Sequence, residues 1–113
     1  MEQPYYVAGE WASDGRELEV VSPSDGGVVG TTCRPPGSSV DLAVEGAVRA
    51  FAETRAAPVH RRVDLLKRIA SGIGERGESF AGIIAKEVGK PIRVARGEVD
   101  RAVQTFTFLA EPI

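Results

Sequence analysis

The first third of the chain is patterned as short strands separated by turns. Apolar and β-branched residues concentrate in the runs YYV (5–7), ELEVV (17–21) and VVGTTC (28–33). Ala8-Gly9-Glu10 separates the first run from Trp11, and the cluster SPSDGG (22–27) separates the other two runs. Short runs of strand-forming residues that flank such turn residues are typical of β-hairpins. The pattern therefore predicts two short hairpins within residues 5–33.

From residue 38 to residue 111 the apolar residues recur at intervals of three and four, which is typical of amphipathic helices. Pro58, Gly89 and Pro91 separate the later helices, and Ser38 or Ser39 can cap the first. Four helices are predicted, each with one apolar stripe. The first has Val40, Val44, Ala47, Val48 and Phe51, and the second has Val59, Val63, Leu66, Ile69 and Ile73. The third has Phe80, Ile83, Ile84 and Val88, and the fourth has Ile92, Ala95, Val99, Ala102, Val103, Phe106 and Leu109. These stripes are wide, and no run predicts a parallel strand that would cover them.

The composition narrows the class of protein. A chain of 113 residues suits one small domain or part of a larger one, and its 42% hydrophobic and 27% charged residues are ordinary for a soluble globular protein. A net charge of −2 gives the whole chain no attraction to nucleic acid or to an acidic membrane. One cysteine allows no internal disulfide, and the chain shows neither a signal peptide nor a transmembrane run. We therefore expect a cytoplasmic protein.

Lys90 is the first candidate for chemistry, since it lies in the Gly-Lys-Pro that joins the third and fourth predicted helices. A phosphate-binding loop requires a preceding strand and a Ser or Thr after the lysine. Here a helix precedes the lysine, and Pro91 removes one backbone donor. The sequence favours a lysine at a helix end over a catalytic amine.

Cys33 and His60 are the only thiol and the only imidazole in the sequence. A reactive thiol needs a base or a helix N-terminus beside it, and Cys33 instead ends a predicted strand. We expect Cys33 to be a small buried or half-buried residue. One histidine without a cysteine pair predicts no zinc site.

Three other patterns could carry function. The basic residues His60, Arg61, Arg62, Lys67 and Arg68 could contact phosphates, but a solvated helix face is favoured because Asp64 and Glu75 lie among them. GIGERG (72–77) fits G-x-G-x-x-G, yet it lies in the tail of a helix and not between a strand and a helix. Glu87 and Glu98 flank the helix joint, where structural ion pairs are favoured over acid–base catalysis. No catalytic, cofactor-binding or metal-binding residue is predicted.

In order along the chain, several segments resemble the N-terminal part of the NAD(P)-dependent aldehyde dehydrogenase superfamily. They are GEW (9–11), VVSPSDGGVVGT (20–31), VDLAVEGAVRAF (40–51), RRVDLLKRIASGIGERGESFAGIIAKEVGKP (61–91) and ARGEVDRAVQTF (95–106). The E-x-G-K-P joint, Glu87 to Pro91, followed by Glu98-Val99 is similar to a frequent family signature. The branch that acts on glyceraldehyde 3-phosphate, lactaldehyde and phosphonoacetaldehyde is the most similar. Ser22-Pro23 stands where the family usually has Asn-Pro.

The resemblance implies an α/β fold in which residues 1–113 are an incomplete N-terminal part of the cofactor-binding domain, with hairpins at 5–33 and a helical layer at 38–111. It also implies an oligomeric enzyme that oxidises a small aldehyde to an acid with NAD or NADP through a cysteine thioester. The family's nucleophile, glutamate, asparagine and cofactor turn lie downstream, so Cys33 is not the nucleophile and this chain alone is expected to be inactive. The alternatives are a stand-alone helical interaction module, or a remnant that binds a full-length relative, and a phosphate- or nucleic-acid-binding helix pair.

Overall fold

Two antiparallel hairpins form the first part of the chain in the computed structural model, which describes residues 2–111. The five strands are β1 (Glu2–Gln3), β2 (Tyr5–Val7), β3 (Glu10–Ala12), β4 (Arg16–Val21) and β5 (Val28–Arg34). β2 pairs with β3 and β4 pairs with β5, which confirms both predicted hairpins. A short parallel pairing of β1 with β5, which the sequence analysis did not predict, adds a third strand to the second hairpin. A ladder of two residues is too short to leave a periodic pattern in the sequence.

Residues with positive φ close the two hairpin turns. Ala8 and Gly9 have φ values of 50° and 99°, and two consecutive residues of this kind match the twist of a tight hairpin. In the longer turn, Gly26 has a φ of 72°, and the Gly27 amide donates to the Asp25 carboxylate over 3.0 Å. The Asp/Gly-rich composition that predicted these turns therefore acts through backbone conformation and a local side-chain hydrogen bond.

The first helix, α1 (Ser38–Ala56), uses its small residues to approach the first hairpin. Ser39 is its buried residue, and a Cβ atom on Gly46 would lie 2.9 Å from the Cβ of Ala8. The large residues of its predicted stripe are exposed instead, since Val40, Val44, Val48 and Phe51 are 58–68% accessible. Close packing here depends on small side chains, which a search for large apolar residues does not find.

Three further helices form a second unit, and the chain divides between Ala56 and Ala57. These are α2 (Val59–Glu75), α3 (Gly77–Val88) and α4 (Ile92–Leu109), which confirms the four predicted helices. Pro58 and Pro91 immediately precede α2 and α4. Gly89 has the left-handed conformation, with φ 69° and ψ 23°, in which its amide bonds to the Ala85 carbonyl. This is the helix-ending role predicted for Gly89.

The core of this second unit is built largely from alanines. Ala81, Ala95 and Val99 form a buried cluster, and Ile73, Ile84 and Ala85 pack against it. Several larger stripe residues stay accessible, namely Val59, Phe80, Ile83, Val88, Ile92 and Leu109. Small residues allow the helix backbones to approach, so the larger residues lie at the margins of the contact. Over residues 2–111, no helix combines the length and the apolar character needed to cross a membrane.

Candidate functional site

The joint between α3 and α4 places Lys90 in a structural ion pair. The Lys90 ammonium donates to the carboxylate of Glu98, eight residues further along the chain in α4, and the two side chains are 38% and 37% exposed. A pair of this exposure is screened by solvent and stabilises a fold by at most about 1 kcal/mol. The lysine is thus engaged by a carboxylate, and the proline after it offers no amide to a phosphate.

The G-x-G-x-x-G match has helical surroundings. Gly72 and Gly74 lie in the last turns of α2, and Gly77 is the first residue of α3. An added Cβ on Gly74 would lie 3.8 Å from Val103, and one on Gly77 would lie 3.7 Å from Val99, both on α4. Gly74 and Gly77 therefore face a neighbouring helix, whereas a Cβ on Gly72 would meet no atom within 4 Å. The three glycines do not fit a dinucleotide, which requires glycines that open a helix after a strand.

Cys33 is confirmed as a buried residue, with 5% of its surface exposed. The Gly15 amide donates to its sulfur over 2.9 Å, across the strand pair that begins with Arg16 and Arg34. The thiol therefore belongs to the interior of the second hairpin. Within residues 2–111 no group of three or more His, Cys, Asp or Glu residues is placed to hold a metal ion.

The basic residues of α2 are solvent-exposed, namely His60, Arg61, Arg62, Lys67 and Arg68. Asp64 and Glu75 on the same helix are exposed as well, as the solvated-face interpretation predicts.

Tyr5 forms a polar network that the sequence analysis missed. Its hydroxyl donates to the Asp14 carboxylate over 2.5 Å and lies 3.1 Å from the Ser39 hydroxyl. The hydrogen bond to Asp14 is the main cause of a raised Tyr5 pKa, since it favours the protonated phenol. The network ties β2, the segment before β4, and α1 together. Because the three residues lie far apart in sequence, only the tertiary structure reveals it.

A second ion pair links α3 to α4. The Arg96 guanidinium donates to both oxygens of Glu78, through Nε over 2.8 Å and through a terminal nitrogen over 2.9 Å. This hydrogen bonding lowers the pKa of Glu78 and raises the pKa of Arg96. The paired geometry is the strong form of arginine–carboxylate contact. Glu78 also lies in the first turn of α3, where a negative charge is favoured by the helix dipole.

Removal of the Glu78 charge should change how stability depends on pH. The folded-state pKa of Glu78 lies below its ordinary value of 4.5. The ion pair therefore contributes fully to the free energy of unfolding when the pH is above 4.5. It is lost as the pH falls through the lower, folded-state pKa. Glu78→Gln should therefore be less stable than the parent near neutral pH, and the difference should vanish in acid. Urea unfolding of both proteins across this range measures the effect, and a difference that is constant with pH would contradict it.

Each of the two units has an open groove with a largely apolar lining. One, of about 650 Å³, lies between the first hairpin turn and α1, and its lining includes Tyr6, Gly9, Ala43, Arg49 and Glu53. The other, of about 270 Å³, lies among α2, α3 and α4 and is lined by Ile73, Phe80, Ile84, Glu98, Val99 and Ala102. Each is mostly apolar, and each belongs to one unit. Their lining residues favour packing over catalysis.

The functional assignment comes from comparison with known proteins. The sequence profile described as "Aldehyde dehydrogenase family" matches residues 11–113, which is most of the chain. The chain belongs to the aldehyde dehydrogenase family. Within this family, it is 33% identical over 107 residues to malonate-semialdehyde dehydrogenase 1 of Geobacillus kaustophilus, covering 93% of the chain and 22% of that protein. It is 31% identical over 111 residues to the glutarate-semialdehyde dehydrogenase of Pseudomonas putida, covering 96% of the chain and 23% of that protein.

The solved structures of the family have the same fold over this segment. The NADP-dependent glyceraldehyde-3-phosphate dehydrogenase of Bacillus halodurans, complexed with NADP, matches with a TM-score of 0.92 and 30% identity, covering 97% of this chain and 24% of that one. The lactaldehyde dehydrogenase of Escherichia coli matches with a TM-score of 0.90 and 26% identity, covering 96% and 23%. The aldehyde dehydrogenase-like α/β fold is thereby confirmed. The chain spans about a fifth to a quarter of the length of its relatives.

Proposed function

We propose that this chain is the opening structural part of an NAD(P)-dependent aldehyde dehydrogenase and has no dehydrogenase activity alone. The match of the family profile to residues 11–113 is the observation that carries this proposal. Residues 1–113 would form an incomplete N-terminal part of the cofactor-binding domain, with the hairpins at 5–33 and the helical layer at 38–111. In this role the chain supplies scaffold, and no residue of it is assigned to catalysis, cofactor binding or metal binding.

The complete protein would oxidise a small aldehyde to a carboxylic acid. In the mechanism that the family resemblance implies, a cysteine thiolate outside this chain attacks the aldehyde, hydride passes to NAD or NADP, and water releases the acid from the thioester. Malonate semialdehyde and glutarate semialdehyde, named for two relatives, are small aldehydes. The proposal includes a homo-oligomer, as the resemblance implies, and a cytoplasmic location, as expected from the composition of the chain.

The local chemistry described above supports a scaffold role. Lys90 is engaged by Glu98, and Cys33 is buried in the second hairpin. Gly74 and Gly77 of GIGERG pack beside α4. Lys90 and Cys33 thus have structural roles, while the basic residues of α2 lie on an exposed helix face.

A chimera tests this proposal. Residues 1–113 would replace the corresponding segment of the Bacillus halodurans glyceraldehyde-3-phosphate dehydrogenase, which shares the fold of this segment. We expect the chimera to reduce NADP with glyceraldehyde 3-phosphate, while the isolated 113-residue chain does not reduce NAD or NADP with any aldehyde tested. The parent enzyme is the positive control.

Two results would contradict the proposal. The first is aldehyde-dependent reduction of NAD or NADP by the isolated chain. The second is a chimera that folds and assembles like the parent enzyme but has no activity. A monodisperse, cooperatively folded isolated chain that binds a full-length relative would support the alternative of an interaction module.

A further inference from the structure

We propose that the first hairpin, residues 5–12, is a strap that opens locally while the rest of its unit stays folded, and that the Tyr5 hydroxyl holds it closed over Cys33. Opening of the strap would expose the only thiol of the sequence to solvent. The strap lies within residues 2–56 and contains no group that the proposed function needs for catalysis, so this conformational device is independent of dehydrogenase activity.

The strap is weakly stabilised by its own residues. β2 and β3 form a separate two-stranded sheet, and each residue from 5 to 12 is exposed or half-buried. Its two large aromatic side chains, Tyr6 and Trp11, are 60% and 69% exposed and pack on each other. An isolated two-stranded hairpin is marginally stable in water. The strap therefore depends on its attachments to the rest of the unit.

Two attachments join the strap to α1. The Tyr5 hydroxyl lies 3.1 Å from the Ser39 hydroxyl at the start of the helix, and Ala8 approaches Gly46, where an added Cβ would lie 2.9 Å from the Cβ of Ala8. The seven residues from Ser39 to Gly46 span about 10 Å and nearly two full helical turns. The three residues from Tyr5 to Ala8 span about the same 10 Å. β2 therefore runs along one side of α1 and contacts it at both ends.

The packing between these two contacts is incomplete. An open groove of about 650 Å³ lies between the hairpin turn and α1, with residues of both in its lining. The contact at the far end joins only Ala8 and Gly46, which bury little apolar surface because their side chains are so small. The polar attachment at Tyr5 is therefore the one that we expect to control opening.

Tyr5 also connects the strap to the second hairpin. Its hydroxyl donates to the Asp14 carboxylate over 2.5 Å, and a hydrogen bond to a charged acceptor is stronger than one between neutral groups. Asp14 is adjacent to Gly15, whose amide donates to the Cys33 sulfur. One hydroxyl thus joins the strap both to α1 and to the strand pair that contains the thiol.

The strap lies beside Cys33. β2 contacts β5, the strand on which Cys33 is 5% exposed. The pKa of Tyr5 is raised mainly by its hydrogen bond to Asp14, and the nearby Cys33 thiol raises it further. Movement of the strap away from β5 would uncover this side of the thiol, while β5 stays paired with β1 and β4.

The rate at which Cys33 reacts with a chromogenic disulfide reagent in the 113-residue chain tests the inference. Tyr5→Phe removes the hydroxyl and keeps the ring. Tyr6→Phe makes the same chemical change at the next residue, whose ring is 60% exposed, and is the matched control. Asp14→Asn removes only the charge of the acceptor. The reaction of each variant would be followed over a range of urea concentrations below the unfolding transition.

We expect Tyr5→Phe to react about tenfold faster than the parent, since a buried thiol reacts only when its site opens and the lost hydrogen bonds favour opening. Tyr6→Phe should leave the rate unchanged. Asp14→Asn should also react faster, and the double variant should react no faster than Tyr5→Phe because both changes remove the same bond. The rates should depend only weakly on urea, because local opening exposes little surface.

Three results would overturn the inference. The first is a Tyr5→Phe chain that reacts at the parent rate, and the second is equal acceleration by Tyr5→Phe and Tyr6→Phe. The third is a urea dependence as steep as that of global unfolding, or loss of the cooperative transition in Tyr5→Phe, either of which would make the hairpin an integral part of its unit. Since no readout measures dehydrogenase activity, each of these results would leave the proposed function intact.

Discussion

Gly15→Ala should destabilise the hairpin unit, residues 2–56, by about 3 kcal/mol or more. An added Cβ atom at Gly15 would lie 2.0 Å from the Arg34 carbonyl oxygen and 2.7 Å from the Cys33 sulfur. The first of these atoms belongs to the backbone of a paired strand, so the clash cannot be relieved by a rotamer change. Relief would require separation of β4 from β5 and loss of the hydrogen bond from Gly15 to Cys33. Urea unfolding followed by far-UV circular dichroism measures the effect.

Gly37→Ala is the matched control for this substitution. Gly37 lies in the same unit, immediately before α1, and an added Cβ atom there would meet no atom within 4 Å. We expect its effect to stay below about 1 kcal/mol, the range of ordinary propensity differences. Equal destabilisation by the two substitutions would show that general loss of glycine flexibility, and not the contact with Arg34, sets the requirement at position 15.

Val99→Asp should destabilise the helical unit, residues 57–111, by about 3–5 kcal/mol, because it places an unpaired charge in a buried site. Val99 is 6% exposed and belongs to the cluster with Ala81 and Ala95. Thermal unfolding monitored by circular dichroism should show a lower midpoint and reduced cooperativity.

Val94→Asp makes the same chemical change on the same helix. Val94 is 42% exposed, so its carboxylate can stay hydrated. We expect a loss of about 1 kcal/mol or less, which is ordinary for partly exposed sites. If both aspartates destabilise the protein equally, the cost comes from helix propensity and the cluster around Val99 is not the core of the unit.

The secondary structure was predictable because interactions between residues close together in the sequence determine it. Gly9 marked the first hairpin turn and the Pro-, Asp- and Gly-rich segment 22–27 marked the second, and the period of three and four marked all four helices. Gly89 ended α3 in the left-handed conformation that its position predicted. In each of these cases the responsible residues lie within a few positions of one another.

The identity of the core residues was less predictable than the secondary structure. Small residues allow close helix packing, but they do not stand out in the hydrophobic pattern of the sequence. The stripes selected large residues such as Val59 and Leu109, yet these remain exposed. Ala81, which no stripe included, is fully buried, as is Ala95, which the stripe of the fourth helix did include; their small size lets α3 and α4 approach. The same reason explains why Gly46 and not Val44 marks the contact between α1 and the hairpin.

The sequence by itself determined the order of elements, the family resemblance and the prediction that Lys90 belongs to a helix joint. The tertiary structure alone decided which atoms meet: Lys90 with Glu98, Arg96 with Glu78, and Tyr5 with Asp14 and Ser39. The physical reason is the range of the interactions. Backbone conformation and amphipathic periodicity are set by neighbours in the chain, whereas ion pairs and close helix contacts depend on distances that folding alone creates.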